Sequence, residues 1–158
     1  MSIVKAQKYP LAHEIRTLDN LMMRNFFVQM RATGLDEMTV MHGWILSFLY
    51  HRRGQDTFQR DIESEFSIGR STVTNIIQRM ECKGLIERRS VGSDARLKQL
   101  ILTPLGEQVH LCMDPIVARI NQQLLRNIPG EELESFHLTL EKLRSNVQSS
   151  MEGQEKLL

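Results

Sequence analysis

Arg70-Ser71-Thr72-Val73-Thr74-Asn75-Ile76-Ile77-Gln78-Arg79-Met80-Glu81-Cys82-Lys83-Gly84 is the stretch on which the reading of this chain turns. Val73, Ile76, Ile77 and Met80 fall at i, i+3, i+4 and i+7, which predicts an amphipathic helix with one apolar face. At 100° per residue the opposite face carries Ser71, Asn75, Gln78 and Cys82. Apart from the cysteine these side chains are small or hydrogen-bonding, and none is charged. An ordinary solvated face is richer in Lys and Glu. Ser, Asn and Gln suit base edges in a major groove, where Asn and Gln pair bidentately with adenine. Gly84 follows the last turn, where a glycine takes the left-handed cap without steric cost.

Outward from this helix, Leu85 to Arg89 and Leu97 to Leu102 read as strands, and Ser90 to Arg96 as a turn-rich tip with arginines on both sides. On the other side, Ser67-Ile68-Gly69 is a turn, with Gly69 an acceptable N-cap for a helix starting at Arg70. A helix, a turn, a polar-faced helix and a basic hairpin make a winged helix-turn-helix. The runs Ser71-Thr72-Val73-Thr74, Lys83-Gly84-Leu85-Ile86-Glu87-Arg88, Asp94-Ala95-Arg96-Leu97-Lys98 and Leu102-Thr103-Pro104-Leu105-Gly106, in this order and spacing, resemble the MarR family of bacterial transcription regulators. The matching core runs from about Thr57 to Gly106. The resemblance implies a homodimer that binds near-palindromic double-stranded DNA and often loses affinity when a small molecule binds.

On this reading Ser71, Thr72, Asn75 and Gln78 are expected on bases, with Arg70 and Thr74 on phosphates. Arg89 and Lys98 flank the hairpin tip and join the expected DNA contacts. Asp94 and Arg96 match the family's wing motif, which implies an arginine in the minor groove held in position by the aspartate. Charge agrees with the assignment. Phe66 to Leu100 holds seven basic against three acidic residues, whereas Thr103 to the end holds five basic against eight acidic, although the whole chain is only +1. Phosphate contacts supply much of DNA affinity, so a basic block that coincides with the proposed reading head supports nucleic-acid binding.

At 158 residues, 41% hydrophobic and 25% charged, the chain fits one globular domain. No apolar run reaches the roughly 18 residues of a membrane span. The N-terminus lacks an apolar stretch followed by a small-residue cleavage site, so no secretion signal is expected. Two cysteines without metal spacing make no disulfide framework, which fits a cytoplasmic protein.

Taken in order, Met1 to Tyr9 carry no pattern. Pro10 permits a helix start, and Leu11, Ile15, Leu18, Met22 and Phe26 give a long amphipathic helix to about Arg31, closed by Gly34. Its stripe is wide enough to meet a second subunit. Thr39 caps a second helix whose expected buried set is Met41, Trp44, Ile45, Phe48 and Leu49. Asp56 or Thr57 is expected to cap a third, Asp56 with Gln59 as a capping box, with Ile62 and Phe66 in the core. After the wing, Thr103 and Pro104 start a helix with the stripe Leu105, Val109, Cys112, Ile116, Ile120 and Leu124. Pro115 predicts a kink near Leu111, or two helices in place of one. Pro129-Gly130 breaks the chain, and Leu133, Phe136, Leu140, Leu143 and Val147 form the seam of a last helix, with Ser149 to Leu158 frayed. The expected organisation is mainly α with a small β-wing: dimerisation helices at 10–33 and 104–148 around a DNA-binding lobe at 39–102.

Met22, Phe26, Met30, Met41 and Trp44 belong to a soft cluster that suits either an apolar or aromatic effector or ordinary core packing. Cys82 lies on the polar helix face, where oxidation would alter the DNA-facing surface; a silent surface thiol is the alternative. Cys112 is expected in the core. The five histidines form no i, i+4 pair, and no metal site or cofactor is expected. No glycine-rich phosphate loop, Gly-x-Ser-x-Gly or zinc-protease motif occurs, so no enzyme is expected. The rival readings are a redox-responsive DNA-binding regulator using Cys82, and a winged helix whose polar face binds protein.

Overall fold

The apolar stripes and caps of the sequence become six helices and one hairpin in the computed structural model, which describes residues 9–34, 38–91 and 94–155, with backbone alone for 94–96 and 154–155. In chain order these are α1 (Leu11–Arg31), α2 (Val40–His51), α3 (Gln59–Phe66), α4 (Arg70–Cys82), β1 (Ile86–Val91), β2 (Asp94–Leu102), α5 (Pro104–Leu124) and α6 (Gly130–Glu155). The expectation for Met1 to Tyr9 falls almost wholly outside the described residues. Among the described residues no helix is long and apolar enough to cross a membrane. The chain divides into two compact units, residues 1–120 and 121–158, a division that falls inside α5.

In the first unit the core is built where the periodicities put it. Ile45, Leu46, Ile62, Val73, Ile77 and Met80 are fully or almost fully buried, joined by Phe26, Met30 and Met113. Burying each such side chain contributes about 1.5–3 kcal/mol, so one misplaced stripe would unfold the unit. The turn between α3 and α4 uses Ser67 in the left-handed region, at φ 51°, and Gly69 as the N-cap of α4. Gly84 has φ +70°, the cap the sequence demands. Thr103 accepts the Gly106 N–H at 3.0 Å and donates to the Gly84 carbonyl at 2.6 Å, so one hydroxyl caps α5 and ties it to the end of α4.

The hairpin is longer than its sequence suggests. Ile86 pairs with Leu102, Arg88 with Leu100 and Ser90 with Lys98, and both strands run into the expected tip because backbone pairing overrides the turn preference of Ser90 and Asp94. Gly92 and Ser93 lie outside the described residues. The base of the ribbon is fixed from the α2–α3 connection: the Leu100 N–H donates to the Thr57 carbonyl at 2.7 Å, and the Gln99 amide donates to Asp56 Oδ1 at 3.0 Å.

That anchoring corrects the expected start of α3. Asp56 and Thr57 are taken up by β2, and α3 begins at Gln59 after Phe58, whose N–H donates to Asp61 Oδ2 at 2.7 Å. Helix α2 is rotated relative to its expected face. His42, Gly43 and Leu46 are buried, while Trp44 is 44% exposed. Gly43 accounts for this: a Cβ there would come within 2.6 Å of Met113 Cε, so the bare side of α2 turns toward α5. Cys112 is exposed, not core. The buried face of α5 runs through Gly106, His110, Met113 and Ile116, set by Gly106, where an added Cβ would collide with the Leu85 carbonyl oxygen.

Pro115 does not split α5, which runs through it as one helix. Pro115 and Leu111 are both exposed, so the Leu111 carbonyl freed by the missing N–H is on the open side of the helix. In the second unit α6 continues to Glu155, beyond the expected fraying at Ser149 and the expected boundary at 148. Nothing between Ser149 and Glu155 breaks a helix except Gly153, at about 1 kcal/mol relative to Ala. Leu133, Leu140 and Leu143 are half-buried in the protomer, whereas Phe136, Leu138, Val147 and Met151 are more than half exposed.

Candidate nucleic-acid interface

Because Val73, Ile77 and Met80 commit one side of α4 to the core, the helix must present its other side. Arg70, Ser71, Thr72, Asn75, Gln78, Arg79 and Cys82 are all exposed. This surface has donors and acceptors, cations at its two ends and no carboxylate. Glu81 sits to the side, half-buried against β1. The expected base-contacting residues Ser71, Thr72, Asn75 and Gln78 therefore share one open face, with Arg70 at its N-terminal end.

Thr74 is placed differently. It is half-buried, its hydroxyl donates to the Arg70 carbonyl at 2.8 Å, and it accepts from Gln59 Nε2, also at 2.8 Å. Its single hydroxyl hydrogen is engaged within the protein. Gln59 also donates to Glu63 Oε1 at 2.9 Å, so the first residue of α3 fixes the first turns of α4.

On the hairpin, Arg89 is exposed and pairs with Glu87 at 2.6 Å, and Lys98 Nζ donates to Ser90 Oγ at 2.6 Å. Asp94 and Arg96 lie in β2, and their side chains are outside the described residues. Between the hairpin, α3 and the start of α4 is a cleft of about 460 Å³ lined by Arg60, Arg70, Arg88 and Lys98, with Glu63 its one carboxylate among the described residues. Arg88 is paired with Glu81, which leaves Arg60, Arg70 and Lys98 against Glu63, a balance that favours an anionic backbone.

Sequence reasoning missed Gln59, Arg60 and Arg88. Arg88 was visible as one charge in the basic block, but nothing in its spacing told which way it points. Arg60 stacks over Phe58 at 5.2 Å, upstream of that block, and only the fold brings it to the cleft.

The residues expected to line an effector site are dispersed. Phe26 and Met30 are buried in the core, Met22 and Met41 are half-buried, and Trp44 stacks on Phe66 with ring centroids 6.4 Å apart. None of the five lines the cleft beside α4. Tyr50, His51 and His110 come together where α2 meets α5: the Tyr50 and His110 rings are 4.4 Å apart and the two histidines 6.1 Å. Burial pushes the His110 pKa down, Asp114 and Glu107 oppose this, and His51 and Arg53 add to it. Among the described residues no group of three or more His, Cys, Asp or Glu side chains is placed to hold a metal ion.

A sequence model described as MarR family matches residues 36–97, the span from the α2 approach through the start of β2. The S. aureus MepR–DNA complex is similar in structure, with a TM-score of 0.79 at 24% identity over 88% of this chain and 99% of that one. The transcription regulator MarR from Oenococcus oeni PSU-1 gives a TM-score of 0.71 at 27% identity, covering 86% of this chain and 99% of its own. Bordetella bronchiseptica BpsR, whose DNA binding is regulated by 6-hydroxynicotinic acid, gives 0.76 at 19% identity, over 89% and 96% of the two chains. At their identities MepR and BpsR speak for the fold alone.

Proposed function

We propose that this chain, whose residues 36–97 are a MarR-family segment, is a cytoplasmic, non-enzymatic transcriptional regulator that binds near-palindromic DNA as a homodimer. The observation that carries the reading is the open face of α4, where Ser71, Thr72, Asn75 and Gln78 stand together without a carboxylate beside a cation-lined cleft. Such a face offers hydrogen bonds to base edges, and the cations around it neutralise phosphates. Arg70, Arg89, Arg96 and Lys98 are assigned to the backbone and the minor groove. The dimer reading rests on apolar side chains without cover in the protomer, among them Leu11, Ile15 and Leu18 on α1 and Phe136 and Val147 on α6.

The regulatory step is geometric. Two copies of α4 enter successive major grooves only when they sit about one helical turn, roughly 34 Å, apart. In this reading the chain is a repressor, and a small apolar or aromatic effector favours a protomer spacing that no longer fits. The effector shifts the equilibrium only by its differential affinity for the two forms.

The test starts from a random DNA library enriched on the purified protein. A near-palindromic consensus, bound with an affinity that falls steeply as salt rises, is the expected result. A library that yields no consensus and a salt-insensitive interaction would make the polar face a protein-binding surface instead.

A further inference from the structure

Opposed residues of an antiparallel pair share one face, so the face of the hairpin turned toward the helices carries Ile86 with Leu102, Arg88 with Leu100 and Ser90 with Lys98. Ile86 and Leu100 are almost fully buried, which fixes this as the inward face. Arg88 therefore occupies a position where alternation calls for an apolar residue. Its guanidinium instead reaches α4, where Nη2 and Nε both donate to Glu81 Oε2, at 2.5 and 2.8 Å. Both side chains are about one-third exposed, so the pair is partly shielded from water.

The pair stands at a mechanical junction. Below it the ribbon is held by apolar packing and by the Leu100–Thr57 and Gln99–Asp56 bonds. Above it the inward face turns polar, with Lys98 donating across the hairpin to Ser90. A free two-stranded ribbon is marginally stable and twists easily, so a tie to the helices at this point sets the direction in which the tip projects. Glu81 also places a carboxylate next to a surface otherwise suited to DNA. For charge alone that is unfavourable, and a residue with no other task would be better neutral.

We infer that Glu81 and Arg88 are positioning residues that clasp the wing to the recognition helix, holding the two reading elements at the relative orientation needed to enter adjacent grooves at once. Neither residue contacts a base in this assignment. The clasp sacrifices some non-specific attraction to DNA, and the fixed geometry raises discrimination between sequences. The inference rests on the DNA-binding reading above.

The test uses the full-length chain and the consensus DNA enriched on it, with a scrambled duplex of equal length as the non-specific probe. Glu81→Gln removes a negative charge, so a purely electrostatic role predicts tighter binding to both duplexes. The clasp predicts the opposite sign on the consensus: affinity falls about five-fold, on the scale of a part-exposed ion pair, while affinity for the scrambled duplex holds or rises. The exchanged pair Glu81→Arg with Arg88→Glu keeps the net charge and restores most of the ratio between the two duplexes, whereas Arg88→Glu alone does not. Thermal melts of the same variants exclude loss of fold as the cause. Tighter binding of Glu81→Gln to both duplexes, or an exchanged pair no better than Arg88→Glu, overturns the clasp while leaving the DNA-binding reading intact. A wild-type chain that enriches no sequence overturns both.

Discussion

Along α4 the side chains left uncovered are Ser71, Thr72, Asn75, Gln78, Cys82 and two arginines; along α6 they include Phe136, Leu138, Val147 and Met151. Both helices are amphipathic, yet their open sides differ in kind. The open side of α4 is polar and fully content in water, so its fitness for a partner lies in hydrogen-bond geometry and neighbouring charge. The open side of α6 is costly in water, and the hydrophobic effect alone drives it toward a partner surface. The first kind of surface gives specificity at modest affinity, and the second gives obligate association. The proposed function calls for both: a polar face to read each half-site and an apolar face to hold two protomers together.

The comparison breaks most visibly if the apolar side is removed. Deleting Glu131 to Leu158 is expected to leave a monomer or an aggregate in analytical ultracentrifugation, with DNA binding lost along with the pairing of half-sites. A soluble, intact dimer would show that α6 is not an assembly element. The polar side is sharpened by Asn75→Ala, expected to cost about 1–3 kcal/mol on the consensus and to relax preference at one position per half-site. Equal losses on consensus and scrambled DNA would make Asn75 a phosphate contact. Arg96→Ala tests the wing: binding should weaken about ten-fold or more, about 1.4 kcal/mol upward, and the slope of log K against log salt should become less steep by roughly one unit. Circular dichroism and dimerisation should not change, and identical slopes and affinities would take the wing off the DNA.

The smallest effect concerns the scaffold beneath both surfaces. His42 Nδ1 accepts the Thr39 N–H at 3.1 Å, and Thr39 Oγ1 accepts the His42 N–H at 3.2 Å, a capping box at the start of α2. Burial pushes the His42 pKa down from 6.5, and Lys83 and Arg79 add to it. A folded pKa below the unfolded one means that the unfolded chain binds more protons. The stabilisation is complete above pH 6.5 and is lost as pH falls below that value. The melting temperature should therefore drop between pH 7 and pH 5, with part of the drop abolished in His42→Asn. An unchanged pH profile in that variant would assign the whole effect to other groups, His110 first among them.

Much of this fold was legible as text. The stripe Val73, Ile76, Ile77, Met80 could be buried on only one side, and Gly84 could only end the helix, because both follow from local geometry. For the same reason Thr103-Pro104 marked the start of α5. Errors arose where a residue had several acceptable local roles and a distant contact chose among them. Asp56 was a good cap on paper, but Gln99, 43 residues away, claimed its carboxylate. Trp44 fitted the α2 stripe until Gly43 turned toward Met113. Cys112 fitted the α5 stripe until Gly106 was pressed onto the Leu85 carbonyl.

The candidate site divides in the same way. Sequence alone determined the open face of α4, because a helix with one buried side has no freedom about the other. Sequence alone also determined the charge of the reading head, since composition is independent of conformation. Which cations converge on the cleft, and that Thr74 spends its hydrogen on Arg70 and its lone pair on Gln59, was decided only by the packing of α3 against α4. That Arg88 turns inward to Glu81 was decided only by the register of β1 with β2, because one residue of slip would have pointed the same arginine at solvent.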